Sequence, residues 1–425
     1  MTLAVTALRR EPGQASVDSV AFWLSVAVLI VYSQVWIFPL IGDEEPLGGG
    51  SNPLIRAAYY PVYLITLMLL VGVWRKAMAG LMQTWPLVVL VGLALASFAW
   101  SADPGATMRR GVAIAFTSLS GVLLAARFGW RDLARVTSSA YAILVVVSYF
   151  VGLFVPSLGR MHLLFPEAWR GLWSEKNTLG GEMVIAFGLF AATAVLDRKR
   201  AALWSAFAIA AIGLVLLSTS KTSLLSLLVG AAAFGGVWLL QRGPVTAIVV
   251  SWVGVVGAAG AALVLSLEPQ LLLNALGKDA TLTGRTQLWS AALRQAEIKP
   301  WLGWGYGAIW DNVDPFAPLA KITAEGGFRA RHAHSAWVET RLGLGWAGVA
   351  ALAMFMAQAW LRAIIAAFKL PGALLAVPFL MVFTVISLTE SLALQWNDLR
   401  WVLLVAFSVR VGLAQGEPSE PGQVA

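Results

Sequence analysis

The chain is predicted to be an all-α, polytopic membrane protein of about twelve transmembrane helices with one large outward loop. Hydrophobic residues make up 59% of it and charged residues only 12%. Repeated apolar runs of roughly 17–22 residues match the length that spans a hydrocarbon core of about 30 Å. Because lipid cannot satisfy backbone polar groups, such runs must be helices or barrel strands, and the absence of period-two alternation excludes a barrel.

The twelve predicted spans follow these apolar runs: 20–41, 55–73, 86–100, 111–126, 138–155, 179–196, 201–217, 223–240, 245–267, 335–358, 372–388 and 399–414. The first run follows Arg9 and Arg10 but is too long for a signal sequence, so it is interpreted as a retained span. The large loop covers residues 268–334. Residues 1–19 and 415–425 are predicted cytoplasmic tails, and the second of these is predicted to be disordered.

Basic residues indicate the orientation of the spans. Most Lys and Arg residues outside the long loop fall in alternate loops on the side of the N-terminus. Cytoplasmic loops carry this excess, so both termini are predicted to be cytoplasmic and the long loop to face outward. The net charge of +8 is therefore explained by topology and not by nucleic-acid binding. The basic residues of the long loop favour an anionic substrate on the outer face.

Several classes of chemistry are excluded or unsupported by composition. The chain has no cysteine, which excludes disulfides, thiolate metal sites and cysteine nucleophiles. It contains no Asp-x-Asp motif, so a metal-dependent transferase that uses nucleotide sugars finds no support. No cofactor is expected.

Two short motifs place lysines at the predicted outer ends of helices. In Gly171-Leu-Trp-Ser-Glu-Lys-Asn-Thr-Leu-Gly180, Asn177 or Thr178 is predicted to cap the sixth span, with Lys176 beside free N–H groups that favour an anion. A cap with a snorkelling lysine is the alternative. In Leu217-Ser-Thr-Ser-Lys-Thr-Ser223, five hydroxyl residues surround Lys221. This turn could bind phosphate, or its hydroxyls could satisfy helix-end backbone groups.

The long loop contains a third motif, Thr283-Gly-Arg-Thr-Gln-Leu-Trp-Ser290. Residues 286–298 have the spacing of an amphipathic helix, which includes Trp289. A cation at the helix start opposes the helix dipole, so Arg285 is better explained as a phosphate ligand. The aromatic stretch 300–307 follows, where Trp304 could stack on a sugar ring or anchor the chain at the membrane interface.

A fourth motif, Arg331-His-Ala-His-Ser-Ala-Trp-Val-Glu-Thr340, lies at the return into the membrane. No carboxylate cluster accompanies the two histidines, so metal binding is disfavoured. His334 is suited to proton transfer near neutral pH, and Glu339 could orient its imidazole. Neither Lys221 nor Arg285 has an adjacent acid in the sequence, which favours a functional role for both cations.

These motifs together resemble the O-antigen ligase and polymerase superfamily. The resemblance rests on Gly171-Leu-Trp-Ser-Glu-Lys-Asn177, Ser218-Thr-Ser-Lys-Thr222, Gly284-Arg-Thr286, Pro300-Trp-Leu-Gly-Trp-Gly305 and His334-Ser-x-x-x-Glu339 followed by Gly343. It covers about residues 100–413, and the exopolysaccharide polymerases of Gram-negative bacteria are the most similar branch.

The resemblance implies a twelve-helix inner-membrane protein with a large periplasmic loop between spans nine and ten. It also implies metal-independent transfer of glycan from an undecaprenyl-pyrophosphate-linked oligosaccharide to a glycan acceptor. Arg285 and His334 match the family's loop arginine and its histidine. Lys221 stands where arginine is common, and this departure favours a polymerase over a ligase. A chain-length regulator and membrane lipid are further partners that the resemblance suggests.

Glu339, Asn177, Trp289 and Trp304, with Lys176, complete the expected substrate-binding residues, and Lys221, Arg285 and His334 the catalytic ones. A lipid-linked oligosaccharide transporter is the main alternative from another class. Transporters tend to place ionisable residues at mid-membrane, whereas the candidate residues here cluster at span ends. A scaffold for polysaccharide assembly is a third interpretation.

Overall fold

The computed structural model describes residues 12–42, 52–162, 165–267, 285–310, 312 and 314–415, and these residues contain no β-strand beyond one isolated bridge. The predicted tails, apart from residues 12–19 and 415, and residues 268–284 of the long loop lie outside the described residues. About 78% of the structure is helical. The prediction of an all-helical fold is therefore confirmed.

The first half of the chain forms these helices: α1 (Pro12–Tyr32), α2 (Ile37–Ile41), α3 (Pro53–Val71), α4 (Trp74–Gln83), α5 (Trp85–Ala96), α6 (Pro104–Arg127), α7 (Trp130–Phe154), α8 (Pro156–Gly159) and α9 (Lys176–Leu196). The second half forms α10 (Ala201–Leu217), α11 (Lys221–Leu240), α12 (Pro244–Leu267), α13 (Arg285–Ile298), α14 (Pro318–Gly326), α15 (Ala336–Ala367), α16 (Ala373–Ser387) and α17 (Leu399–Gln415).

Seven of the described helices are long and apolar enough to cross a membrane, and one bent pair adds an eighth candidate. The protein is accordingly a multi-pass membrane protein. All twelve predicted spans fall on helices, but three of these helices are shorter apolar segments, and the count of twelve spans stays a prediction.

The bent pair consists of α4 and α5, which meet at an angle of 90° at Thr84. The predicted spans did not include α4. One of its faces exposes Trp74, Met78 and Met82, whereas Gly80 packs against Val409 of α17. An amphipathic helix of this kind lies along a membrane surface more readily than across it.

Helix α17 forms the centre of the membrane domain, because most of its residues are buried. A Cβ on Gly121 of α6 would lie 2.6 Å from the Val402 carbonyl oxygen, so glycine allows the two backbones to approach. Trp401 donates to the Ser118 hydroxyl at 2.9 Å. The packing of α6 on α17 thus combines close backbone contact with a buried hydrogen bond.

The described part of the long loop folds into a small subdomain with its own core. That core is formed by Leu288, Ala291, Ala292, Ala296, Ile309, Trp310, Leu319, Ile322, Ala330, Ala333 and Leu342. The predicted amphipathic helix 286–298 is confirmed as α13, although Ile298 at its end is exposed. The loop is therefore a structured element that fixes the position of α13 on the membrane domain.

The glycine-rich stretch after α13 docks on a break in α15. Gly345 has a φ of 64°, and a Cβ there would lie 2.3 Å from the carbonyl carbon of Trp301. Backbone hydrogen bonds join Gly305 to Gly343 at 2.8 Å and Trp346 to Pro300 at 2.9 Å. Residues 300–305 thereby attach the subdomain to the kinked part of α15 around Gly343 and Gly345.

Candidate functional site

Arg285 and His334 meet on a single carboxylate, that of Glu390. Arg285 Nη2 lies 3.0 Å from Glu390 Oε1, and its Nη1 donates to the Thr389 carbonyl oxygen. His334 Nδ1 lies 3.5 Å from Glu390 Oε2. We call these three residues the histidine cluster. All three side chains remain between 19% and 29% exposed, so the cluster is accessible from one side.

Three separate segments build the histidine cluster. Arg285 is the first residue of α13, His334 directly precedes the N-cap of α15, and Glu390 follows the end of α16. Burial alone would raise the pKa of Glu390, but the contacts with His334 and Arg285 outweigh burial and lower it to about 2. Glu390 is therefore an anion at neutral pH.

Arg285 has no adjacent acid in the sequence, but the fold supplies an acidic partner, because Glu390 pairs with it. Glu390 was missed as a site residue because 105 positions separate it from Arg285. The signal that could have found it is its position as the first acidic residue beyond the predicted span 372–388.

His332 lies against His334, with ring centroids 3.9 Å apart. Burial, with a smaller effect from the neighbouring His334, lowers the pKa of His332 to about 3. The neutral ring accepts a hydrogen bond at Nδ1 from the His334 backbone N–H at 3.2 Å. Within the described residues, no group of three His, Cys, Asp or Glu residues could hold a metal ion.

Glu339 does not contact the imidazole that it was expected to orient. Its Oε2 accepts from the Ala333 N–H at 2.9 Å, and its Oε1 accepts from the Trp310 indole. Trp289 donates from Nε1 to the Ala333 carbonyl at 2.7 Å. Glu339 and Trp289 thus contact the peptide groups before His334, and the carboxylate beside the imidazole is Glu390.

Lys176 and Lys221 form a second cationic group, which we call the lysine pair. Lys176 is the first residue of α9 and donates from Nζ to the Thr219 hydroxyl at 3.2 Å. Its ammonium also lies 3.8 Å from the ring centroid of Phe165. Lys221 begins α11 and is exposed. Across the described ranges, neither lysine forms an ion pair with a carboxylate.

The hydroxyl-rich turn before α11 uses several of its hydroxyls internally. Ser220 caps α11 by accepting from the Ser223 N–H at 3.3 Å, and it also accepts from the Ser223 hydroxyl at 2.9 Å. Ser218 donates to the Val215 carbonyl at 2.7 Å. These contacts match the alternative in which hydroxyls satisfy helix ends. Lys221 takes no part in these three hydrogen bonds and is exposed beside them.

Asn177 and Trp304, two of the predicted substrate-binding residues, lie outside both cationic groups. Asn177 is exposed in the first turn of α9. The prediction that Asn177 or Thr178 caps this helix is wrong, because Glu175 is the N-cap, and its side chain makes no capping hydrogen bond. Trp304 donates to the Gln295 carbonyl at 2.8 Å, and Lys299 lies over its ring. Trp301, which is 72% exposed, presents the more open aromatic face.

Both cationic groups lie on the same side of the helix bundle. Gly180 near the start of α9 approaches Ser218 and Ser223 beside Lys221, and Gly181 faces Ile386 at the end of α16. Ile386 lies four residues before Glu390 in the sequence. The ends of α9, α11, α15 and α16 therefore form one face that carries every predicted catalytic residue. We call it the site face.

Comparisons with known proteins agree with the resemblance drawn from the motifs. Residues 206–353 match the family model described as O-antigen ligase. The chain is also 28% identical over 324 residues to the exopolysaccharide production protein ExoQ of Rhizobium meliloti (strain 1021), an alignment that covers 71% of this chain and 70% of that protein. The family match includes Lys221, Arg285, His334 and Glu339 and ends before Glu390.

Proposed function

We propose that this protein is a membrane glycosyltransferase that polymerises a polysaccharide. It moves glycan from an undecaprenyl-pyrophosphate-linked donor onto a lipid-linked acceptor at the periplasmic face of the inner membrane. The observation that carries the proposal is the pairing of Arg285 and His334 on Glu390, on the same face as the lysine pair. The similarity to an exopolysaccharide production protein supports the choice of polymerase.

In this proposal His334 acts as the general base. Glu390 at Nδ1 favours the tautomer with the proton on that nitrogen, which leaves Nε2 free to accept a proton. Nε2 removes the proton from the acceptor hydroxyl, whose oxygen attacks the anomeric carbon of the donor sugar. The bond from that carbon to the pyrophosphate oxygen breaks, and undecaprenyl pyrophosphate leaves. Ionised Glu390 stabilises the imidazolium that forms.

Cations supply the charge stabilisation that a metal would otherwise provide. Negative charge develops on the departing pyrophosphate, and fixed cations on the site face stabilise that charge in the transition state. The lysine pair suits this role because neither ammonium is neutralised by a carboxylate among the described residues. Arg285 contributes a planar guanidinium that can bind a phosphate oxygen while it contacts Glu390.

The topology that this function requires is the predicted one, with both termini cytoplasmic and the site face periplasmic. A chain-length regulator would act on the same membrane assembly. No cofactor is needed, because proton transfer and charge stabilisation both come from side chains.

The test is deletion of the gene in its host, followed by complementation with the wild-type protein and with His334→Ala. The proposal predicts that secreted polymer disappears on deletion and that the wild-type protein alone restores it. Loss of polymer with His334→Ala at a normal protein level supports the role of the histidine. Full polymer with that variant would overturn it.

An O-antigen ligase is the second candidate, favoured by the description of the family model that matches residues 206–353. A ligase would transfer finished polymer to lipid A–core. The two candidates differ in what the deletion strain accumulates. Loss of a polymerase leaves single lipid-linked repeat units, whereas loss of a ligase leaves long polymer that is still lipid-linked.

A further inference from the structure

His334 has an unusual backbone conformation for a histidine. Its φ is 51°, in the left-handed region that residues with a side chain seldom adopt. Such conformations persist where the surrounding contacts fix them, and they often occur at functional sites. The contacts that fix His334 therefore bear on how its imidazole is presented to a substrate.

The peptide groups on both sides of His334 are held by side chains. Before it, Ala333 donates its N–H to Glu339 Oε2 at 2.9 Å and accepts at its carbonyl from Trp289 at 2.7 Å. After it, Ser335 donates its N–H to the Ser391 hydroxyl at 3.2 Å. The residue between these fixed peptides has little freedom to rotate.

These contacts converge on the carboxylate of Glu339. Its Oε1 accepts from the Trp310 indole, and its Oε2 lies 3.5 Å from the Ser391 hydroxyl that holds Ser335. One side chain thereby joins the subdomain, the segment before α15 and the segment after α16. Ser391 directly follows Glu390, so the same contact also locates the carboxylate that faces the imidazole.

We propose that Glu339 is a positioning residue that holds His334 in its left-handed conformation against Glu390, and that it does not bind substrate. Both of its oxygens already accept hydrogen bonds from the protein. A carboxylate suits this position because donors converge on it from three segments. The inference rests on the proposed role of His334 and replaces the expectation that Glu339 is a substrate ligand.

The first test compares Glu339→Ala with Glu339→Gln in membranes that convert labelled lipid-linked donor to polymer. The alanine variant should lose about 10²-fold in rate, the size of loss that misplacement of a catalytic group by 1 Å causes. The glutamine variant keeps one acceptor oxygen and should lose less. Glu325→Ala is the matched control, since Glu325 pairs with Arg294 in the same subdomain and should retain the wild-type rate.

The second test is a double-mutant cycle with His334→Ala. If Glu339 acts through His334, Glu339→Ala should cause no further loss in the His334→Ala background, whereas a general structural defect would lower both backgrounds equally. Equal losses, or a wild-type rate for Glu339→Ala alone, would overturn the inference. A wild-type rate for His334→Ala would instead overturn the proposed function.

Trp310→Phe covers the case in which the Glu339 variants fail to accumulate. It removes the indole donor to Oε1 and leaves Glu339 in place. The inference predicts a smaller loss of rate with this variant, and again no further loss when it is combined with His334→Ala. A loss of equal size in both backgrounds would contradict the inference.

Discussion

The histidine cluster and the lysine pair differ in the contacts that their cations make. In the histidine cluster, Arg285 is paired with a carboxylate and a carbonyl oxygen, and its position is fixed by a folded subdomain. In the lysine pair, Lys176 contacts a hydroxyl and an aromatic ring, and Lys221 is exposed. The first arrangement favours precise orientation, and the second leaves charge free for an anion.

This difference suggests that the two groups have different roles in the proposed reaction. A paired guanidinium beside the base is suited to align the reacting groups, because its geometry is set before substrate arrives. Ammonium groups at helix N-termini that pair with no carboxylate of the described residues are suited to attract and hold a pyrophosphate. Substitutions in the two groups should therefore differ in size and in kind.

Among substitutions of the cations, the largest effect is expected from Arg285→Ala. It removes a cation from the reacting centre and leaves Glu390 without its arginine partner, so the rate of polymer formation should fall by about 10²–10³-fold, the cost of losing one stabilising donor. Arg294→Ala is the matched control on the same helix, because Arg294 and Glu325 are both more than a third exposed and a surface pair contributes little. Wild-type polymer yield from Arg285→Ala would remove this residue from the site.

A smaller effect is expected from Lys221→Ala. Polymer formation should fall on the order of tenfold, because solvent screens the charge of an exposed lysine. The loss should appear mainly in the donor concentration needed for half-maximal rate. Lys221→Arg should keep substantial activity, since it retains the charge. An equal loss from the exposed Lys321→Ala on α14 would show that the effect is not specific to the lysine pair.

Lys176→Ala should have a similar but smaller effect, and Asn177→Ala the smallest. When Lys176 is replaced, the neighbouring Lys221 still carries a charge. Asn177 is an exposed amide, so its replacement removes no charge. Donor titrations of the two variants in membranes measure the difference. If Asn177→Ala were the more damaging change, binding at this helix end would depend on the amide and not on the ammonium.

Cysteine labelling can test whether the two groups share one side of the membrane. The native chain has no cysteine, so each variant carries only the cysteine that was introduced. Phe316→Cys, at a side chain that is 88% exposed, and Asn177→Cys should both react with a membrane-impermeant maleimide added from the periplasm. Arg200→Cys should react only after the membrane is opened. Labelling of Arg200→Cys in intact cells would contradict the predicted topology.

Hydropathy and motif spacing predicted much of this molecule. Every predicted span falls mainly on helix, and the amphipathic spacing of residues 286–298 predicted α13 to within one residue. The break in the first predicted span was not predicted, because only Ser33 and Gln34 interrupt the apolar run after α1 ends at Tyr32. Helix α4 was missed because one of its faces is polar, so its mean hydropathy is too low for a span.

The candidate site was predicted less completely than the fold. Arg285, His334 and Lys221 stand out in the sequence because they lie in or beside predicted outer loops and because the chain has only 3 histidines. Glu390 did not stand out, because only folding brings α16 beside α13. The contacts of Glu339 could not be predicted either, since Trp310 and Ser391 reach it from segments 29 and 52 positions away.

In the proposed reaction, His334 transfers a proton in a metal-independent glycosyl transfer. The most direct measurement is turnover of labelled lipid-linked donor by the purified protein and by His334→Ala, with donor binding measured in parallel and with a chelator present or absent. We expect His334→Ala to bind donor normally and its turnover to fall by about 10²–10⁴-fold. The chelator should change neither protein. Full turnover by His334→Ala, or chelator inhibition that zinc reverses, would rule out this role for the histidine.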